Sequence, residues 1–436
     1  MTIARTLRRV ALPSVAFASV LAFAACGSPS TGSSGVTGGS GAADWNEKGP
    51  ITYVQGKDTS GNVQNTIARW NKDHPDEKVT LQELSENADE QRQQMVNNAT
   101  SKGGSGYTVL SVDLVWTAEF AANGYLEELP ASQLPTQGYL RSAVDSGTYF
   151  NKLYAFPSTS DAAMLYYRKD LLDAAGLQPP KTWDELKAAC AKVKGAVAGI
   201  DCYGGQLQKY EGLTCNIAEM VNSAGGEFLT ADGKPTVNTK KAVAGVTWAV
   251  EALKDGTIPQ ASLTWKEEES RKAFQDGKLV FHRNWAYAYA LGAKTDGSSA
   301  VAGKFGVAPI PGMSGPGVST LGGHNMGISK FAKNKGTALA FIKWYNSPEN
   351  QKLNTVATSQ APTWEALYTD PELTGKFEYL PVLQQSITTA KSRPKVVKYG
   401  DATQAIQDAS YAALNGQKEP KAAMDELQAK LEGLTQ

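Results

Sequence analysis

Short apolar runs of strand length alternate along the chain with segments whose apolar residues recur every three to four positions. In the first part of the chain this alternation predicts strand, helix, strand, helix and strand, at residues 51–54, 62–73, 78–83, 89–101 and 107–116. A βαβαβ order implies a parallel sheet with right-handed crossovers. The predicted fold class is therefore α/β.

The alternation continues to the end of the chain, and the tail at residues 381–436 is predicted to be helical with two short breaks. Capping boxes predict two helix starts, Thr182 with Glu185 and Thr264 with Glu267. Further strands are predicted at residues 202–206, 278–283, 304–309 and 326–329, and further helices at residues 213–224, 238–254 and 336–346.

An aromatic segment follows the strand predicted at residues 278–283, whose carboxyl end leads directly into Asn284, Trp285, Ala286 and Tyr287. Ligands of open α/β sheets lie beyond the carboxyl ends of the strands. Aromatic planes suit the apolar faces of a sugar ring, and a nearby amide and guanidinium suit its hydroxyls. Trp285 and Tyr287 could instead be core residues, and the segment taken alone favours that interpretation.

The N-terminus has the layout of an export signal. Three arginines precede an apolar run at residues 10–25, which is too short to span a membrane comfortably and is followed by Cys26. A cysteine after two small residues at the cleavage point resembles a bacterial lipoprotein lipobox. We therefore predict a signal peptide at residues 1–25, lipid attachment at Cys26, and a flexible Gly/Ser-rich linker at residues 26–44.

The length and the charge of the chain bear on the number of lobes and on the kind of ligand. A chain of 436 residues is too long for one compact core, so two or three lobes are expected. Removal of residues 1–25 takes away three arginines, which leaves 43 − 3 = 40 basic against 43 acidic residues. This weakly acidic balance argues against nucleic-acid binding.

Three cysteines remain after Cys26, and export permits a disulfide between two of them. Cys190 lies on a predicted helix and Cys202 near the next strand, so this pair is favoured. Cys215, on an apolar helix face, is then a free buried thiol.

Motifs for catalysis and for metal binding are missing. His74, His282 and His324 lie far apart, and none has a partner at metal-ligand spacing, so neither a metal nor a cofactor is predicted. Phosphate-loop, dinucleotide and nucleophile-elbow motifs are also absent. Paired-carboxylate glycosidases have no short signature, however, and acids such as Asp113, Asp161 and Glu211 remain candidates for such a pair. Asp113 is equally well explained as a helix cap.

Several segments, in this order, resemble the extracellular solute-binding proteins of ABC transporters that carry sugars. The similarity covers nearly the whole chain after the signal and is greatest for receptors of the trehalose and maltose type. The segments are the lipobox, ITYVQGKDTSGN, VDLVWTAEFAANGYLEEL, YRKDLL followed by TWDEL, YEGLT, AFQDGKLVFHRNWAY, LGGHNMGISKFAKN and SRPKVVKY.

The resemblance implies roles for residues that match the family's motifs. Trp285 and Tyr287 match the aromatic platform on which a glucose ring stacks. Asp113 and Asp161 match acids that accept hydrogen bonds from sugar hydroxyls. Gly323 matches the glycine that permits a close approach of the backbone.

Five further positions complete the predicted ligand-binding set. Arg92 and Arg393 match arginines that donate to hydroxyls, whereas Asp58 and Glu211 are matched by looser alignment. His324 stands where the family usually has an aromatic residue, a departure that would weaken stacking on one sugar ring or add a polar contact to it.

The resemblance also implies the architecture, a periplasmic-binding-protein-like fold of two hinged lobes with a cleft between them. Crossings are expected near Phe156, Lys304 and Gln360, and hinge closure would bury the ligand. The N-terminal lobe would comprise residues 45–157 and 305–360, and the C-terminal lobe residues 158–304 and 361–436.

The function implied is capture without turnover. A monomeric receptor, lipid-anchored at the extracellular face of the membrane, would bind an α-glucoside oligosaccharide and deliver it to ABC permease subunits. Two alternatives stay open: a secreted hydrolase that uses Asp161 and Glu211 as its carboxylates, and a binding protein that senses sugar instead of importing it.

Overall fold

The structure, a computed structural model, describes residues 43–435. The predicted signal peptide, Cys26 and nearly all of the linker lie outside these residues. The strands are β1 (Ile51–Gln55), β2 (Val79–Glu83), β3 (Val109–Asp113), β4 (Thr148–Tyr149), β5 (Lys152–Leu153), β6 (Ala155–Pro157), β7 (Asp161–Ala162), β8 (Met164–Arg168), β9 (Asp201–Gly204), β10 (Leu279–Asn284), β11 (Phe305–Pro309), β12 (Leu321–Gly322) and β13 (His324–Ile328).

Helices cover both main sheets, and two short 3-10 helices occupy Gln260–Thr264 and Glu365–Thr369. None of the helices between residues 43 and 435 is long and apolar enough to cross a membrane. The α-helices are α1 (Asn62–Asp73), α2 (Ala88–Thr100), α3 (Thr117–Ala122), α4 (Arg141–Ser146), α5 (Lys169–Ala174), α6 (Trp183–Ala196), α7 (Glu211–Ser223), α8 (Lys240–Lys254), α9 (Glu267–Gln275), α10 (Tyr287–Gly292), α11 (Lys335–Tyr345), α12 (Pro348–Thr358), α13 (Pro371–Lys376), α14 (Tyr379–Thr389), α15 (Tyr399–Leu414) and α16 (Pro420–Leu434).

The first lobe is built on a five-stranded sheet of order β2-β1-β3-β13-β6. Strand β1 pairs in parallel with β2 and with β3, which confirms the predicted βαβαβ unit. Strand β13 lies antiparallel between β3 and β6 and places His324 opposite Asp113. The carboxyl ends of β1 and β3 therefore meet at one edge of this sheet.

The second lobe is built on a four-stranded sheet of order β11-β8-β10-β9. Because β11 pairs with β8, the prediction that the chain returns to the first lobe at residue 305 is wrong for this strand. Periodicity identified the strand but carries no information on which sheet the strand joins. The helices of the C-terminal tail also belong to this lobe, because α15 and α16 pack against α7 and α8.

Within residues 43–435, three segments connect the lobes. Along the chain, strand β7 connects β6 of the first lobe to β8 of the second, and strand β12 connects β11 of the second lobe to β13 of the first. These two short strands pair antiparallel where the chain crosses between the lobes. The second crossing therefore lies near residue 321, later than the predicted Lys304. The third lies between α12, which packs on α1, and α14, which packs on β11.

The predicted disulfide is confirmed. Cys190 on α6 is bonded to Cys202 on β9, with their Cα atoms 5.4 Å apart. Cys215 is a free and buried thiol on α7, also as predicted.

One predicted capping box is confirmed and the other is wrong. The Glu185 amide donates to Thr182 Oγ1 at 3.1 Å, and the Thr182 amide donates to the Glu185 carboxylate at 3.1 Å. Thr264 instead ends a 3-10 helix, where its hydroxyl donates to the Ala261 carbonyl at 2.8 Å. Helix α9 therefore begins at Glu267, three residues beyond the predicted cap, and the Glu267 carboxylate accepts from Tyr210 instead of capping the helix.

Candidate ligand-binding cleft

A cavity of about 840 Å³ lies between the two lobes, within the range typical of small-molecule sites. Its walls come from segments that follow β1 and β3 in the first lobe, and from the start of α7, the start of α9 and the exit of β10 in the second. The structure brings nine of the ten predicted ligand-binding residues to this cavity: Asp58, Asp113, Asp161, Glu211, Trp285, Tyr287, Gly323, His324 and Arg393.

Arg92 is the predicted residue that the structure does not bring to the cavity wall. Its guanidinium forms a double hydrogen bond with Glu119, with Nε 2.7 Å from one carboxylate oxygen, and packs close to Gly400 of α15. The adjacent residue, Gln91, lines the cavity in its place. Successive helix residues point about 100° apart, so a one-residue difference changes the face presented to the cleft.

Trp285 lies just past the end of β10, as predicted, and is half-buried at the cavity wall. The Arg283 guanidinium lies 4.0 Å from the centroid of the indole ring, a cation–π contact. The Trp285 amide donates to the Asn284 side chain at 2.8 Å, and Tyr166 Oη donates to the Trp285 carbonyl at 2.7 Å. The ring is thus held at a defined position by its neighbours.

The support beneath Trp285 is a buried polar network around Arg283, which has no exposed surface. Arg283 Nε donates to Glu219 at 2.8 Å, and one terminal nitrogen donates to the Gln206 amide oxygen at 2.8 Å. The Thr320 amide, in the second crossing, donates to the same Glu219 carboxylate at 3.2 Å. Because Glu219 neutralises Arg283, the network adds no net charge beneath the aromatic ring.

The cavity wall also carries an ion cluster that joins both lobes. Arg393 donates to Asp113, at the end of β3, at 2.7 Å and also to Glu211, at the start of α7. Glu211 accepts further hydrogen bonds from Tyr399 and Thr403 of α15. The helix-cap interpretation of Asp113 also holds in part, because its carboxylate accepts from the Val115 amide at 3.1 Å.

Burial raises the pKa of Glu211 to about 7, because burial and the smaller upward effects of Asp113 and Asp89 together exceed the lowering by Arg393. The side chain is almost completely buried, so its charged form loses most of its hydration. Within this cluster of two carboxylates and one guanidinium, the Glu211 carboxylate therefore takes up a proton near neutral pH.

We expect this carboxyl to make the protein less stable as pH rises. The folded state keeps a proton on Glu211 that the unfolded chain releases near its ordinary pKa of 4.5. The stability that this proton gives the folded state is therefore complete below pH 4.5 and is lost as the pH rises towards 7. Glu211→Gln should remove up to about 3 kcal/mol of this pH dependence. Urea unfolding of both proteins at pH 5 and pH 8 measures the difference, and parallel pH profiles would contradict the assignment.

Asp161 lies at the first crossing, beside the aromatic segment. Its carboxylate accepts from the Ala162 amide at 2.8 Å and from the Ala286 amide at 3.4 Å. Burial raises its pKa to about 7, against smaller lowering effects from these two amides and from Arg283. Backbone donors fix the position of the carboxylate at the cavity wall.

Gly323 and His324 follow the second crossing directly. Gly323 has a φ of 115°, and a side chain there would lie 2.2 Å from the Thr159 carbonyl oxygen, so the predicted close approach is made to the first crossing. The His324 amide donates to Thr159 Oγ1 at 2.9 Å. Burial lowers the pKa of the His324 imidazole, which favours its neutral form.

Asp58 and Tyr287 use their polar atoms within their own lobes. One Asp58 oxygen accepts from the Val63 amide at 3.0 Å, in the first turn of α1, and the other accepts from the Ser60 amide at 2.9 Å. Tyr287 Oη donates to Glu268 of α9 at 2.7 Å. Both residues shape the cavity wall while their polar groups are already paired.

Sequence reasoning missed several cavity residues whose partners lie far away in the chain. Tyr210 Oη donates to Glu267 at 2.6 Å across 57 positions. Lys266 bonds to Glu86 at 2.7 Å across 180 positions. Burial raises the pKa of Glu267, which faces the cavity. The mistaken capping box assigned Glu267 to a helix end and so hid this role.

A cavity enclosed by two α/β lobes, with three crossings behind it, defines a two-lobed binding protein. The chain matches the family of bacterial extracellular solute-binding proteins over residues 55–352 and belongs to that family.

Individual relatives agree with this assignment. The chain is 34% identical over 341 residues to a probable ABC transporter-binding protein of Deinococcus radiodurans, covering 75% of this chain and 80% of that one. It is 24% identical to a galactooligosaccharide-binding protein of Bacillus subtilis, covering 93% and 92% of the two chains. The maltose-bound MalE3 structure from T. maritima superposes with a TM-score of 0.84 at 32% identity, covering 88% of this chain and 99% of that one.

Proposed function

We propose that this protein captures an α-glucoside oligosaccharide of the maltose, maltodextrin or trehalose type and delivers it to the permease of an ABC importer. The observation that carries the proposal is the position of Trp285, half-buried at the cavity wall and held by Arg283, with the carboxylate of Asp161 beside it. An aromatic face with nearby carboxylates and a guanidinium matches the apolar faces and hydroxyls of a sugar ring.

The names of the similar proteins support a sugar as the ligand, and they include ligands other than α-glucosides. The T. maritima MalE3 structure contains maltose, and the B. subtilis relative is named for galactooligosaccharides. A structure from Agrobacterium radiobacter, 26% identical to this chain with a TM-score of 0.79, contains ribitol. A cavity of about 840 Å³ is large for a single polyol and favours a ligand of more than one ring.

The cleft favours binding over hydrolysis. A glycosidase acid must reach the leaving oxygen with one of its own oxygens, whereas both oxygens of Glu211 are taken up by Arg393, Tyr399 and Thr403. Asp161 is likewise held by two backbone amides. Hinge closure around such a site binds the ligand and leaves it chemically unchanged.

The location and assembly that we propose follow from the N-terminal sequence and the family. Lipid attachment at Cys26 would hold a monomeric receptor at the extracellular face of the membrane, with the Gly/Ser-rich segment as a flexible tether. A receptor that only senses a sugar would need no permease, so the presence of a permease gene beside its gene is the observation that would favour import over sensing.

A panel of sugars tests the function directly. Purified protein should gain thermal stability with maltose, maltotriose or trehalose, by about 2.7 kcal/mol when the ligand is present at a hundred times its Kd. Mannitol and ribitol serve as comparison ligands, and glucose release is measured in parallel. Stabilisation by a polyol alone would overturn the α-glucoside assignment, and release of glucose would establish the hydrolase.

A further inference from the structure

An ion pair joins the two lobes at the edge of the cavity. Lys266 Nζ lies 2.7 Å from a Glu86 carboxylate oxygen. Glu86 belongs to the loop between β2 and α2 in the first lobe, and Lys266 directly precedes α9, which packs on β10 in the second. Both residues line the cavity, so the pair lies between the enclosed space and the solvent.

The two side chains differ in exposure, with 18% of Lys266 and 49% of Glu86 accessible. Lys266 is positioned by its own backbone, because its amide donates to Glu269 at 3.0 Å. The hydrogen bond to Lys266 lowers the pKa of Glu86, and the hydrogen bond to Glu86 raises the pKa of Lys266. The two directions agree with a charged pair at neutral pH.

Two other polar contacts between the lobes involve side chains that are less exposed than Glu86. Arg393 reaches Asp113 inside the cavity, and Gln407 of α15 donates to Asp89 of α2 at 3.1 Å. The pair of Glu86 and Lys266 differs from both because its carboxylate is half exposed, so salt in the medium reaches it.

We propose that Glu86 and Lys266 form a latch that holds the lobes together over the cleft and slows the release of the ligand without contacting the ligand. The inference rests on the proposed function, since it assumes a ligand in the cleft. Breaking the latch favours the open form, and the apparent affinity falls because the closed, binding-competent form is less populated.

Charge exchange separates a latch from a direct ligand contact. Lys266→Glu and Glu86→Lys should each raise the Kd for maltose, or for the tightest α-glucoside of the panel, by roughly two- to fivefold, mainly through faster dissociation. The double variant with both exchanges restores the pair with opposite polarity and should recover most of the lost affinity. If Lys266 binds the sugar directly, the double variant stays as weak as Lys266→Glu, and the latch is refuted.

A matched pair within the second lobe provides the control. Lys187 lies 2.9 Å from Asp255, with 29% and 47% of the side chains accessible, and neither residue lines the cavity. Lys187→Gln should leave the Kd unchanged, whereas Lys266→Gln raises it. Equal effects of the two substitutions would show a general consequence of lost surface charge and would refute the latch.

A measurement without ligand keeps the latch testable if no sugar binds. Small-angle X-ray scattering of the ligand-free wild type should show a larger radius of gyration at 1 M than at 20 mM NaCl, because salt screens the pair and the cleft opens. At 20 mM NaCl the Lys266→Gln variant should already have a larger radius of gyration than the wild type. Its radius of gyration should also change less with salt, because the pair is already broken. An identical salt response in both proteins refutes the latch. Failure of every sugar to bind, with the scattering difference present, refutes the proposed ligand and supports the latch.

Discussion

Replacing Trp285 with alanine is expected to weaken α-glucoside binding by about 10- to 100-fold, which corresponds to losing 1.5–3 kcal/mol of aromatic contact. The ring is held between the β10 exit and the second crossing: a side chain at Gly322 would lie 2.7 Å from it. Isothermal titration with the sugar identified in the panel measures the loss.

Two variants sharpen this expectation. Trp285→Phe keeps an aromatic face and should lose less affinity than the alanine variant. Trp344→Ala removes an equally half-buried indole from α11, which packs against Trp70 away from the cavity, so it should lower stability and leave the Kd unchanged. Unaltered affinity in Trp285→Ala would show that this ring is only part of the packing and would refute its role as the sugar platform.

Replacing Arg393 with methionine is expected to lower the free energy of unfolding by about 3–5 kcal/mol at pH 8, the usual effect of removing one partner from a buried ion pair. Asp113 and Glu211 would then face each other without the guanidinium that joins them. The loss should be smaller at pH 5, because protonation of Glu211 relieves the repulsion. Urea unfolding at the two pH values measures both effects.

A less buried pair serves as the reference for Arg393. Arg168 lies 2.6 Å from Asp170 on the second lobe, and Arg168→Met should cost less than about 1 kcal/mol because Asp170 remains partly hydrated. Arg393→Lys keeps the charge but cannot bridge both carboxylates in the planar manner of a guanidinium, so an intermediate loss is expected. Equal stability of Arg393→Met and wild type would show that the two acids are neutral without Arg393.

Much of the first lobe could be predicted because local pattern determines it. The helix at Asn62–Asp73 agrees with its predicted bounds, since apolar residues at helical spacing mark the face of α1 that is buried. The position of Trp285 followed from the end of a strand, and the family resemblance identified nine residues that do line the cavity.

The remaining differences concern information that local pattern does not contain. Arg92 and Gln91 are adjacent, and only the packing of α2 against α15 decides which of them faces the cleft. The sheet that Phe305–Pro309 joins depends on pairing with β8, about 140 residues earlier. The Glu86–Lys266 pair likewise joins two positions 180 residues apart, so neither residue alone indicates a contact.

The order of strands in the first sheet has a consequence for how the chain must fold. Strand β13, at residues 324–328, lies between β3 and β6, so the sheet is split until the ribosome has produced three quarters of the protein. The helical layer over α7 and α8 waits longer still, because α15 and α16 come last. Neither half is a contiguous piece of sequence. Nascent intermediates therefore expose unpaired edges and apolar surface until synthesis is nearly finished, and premature termination yields no intact half.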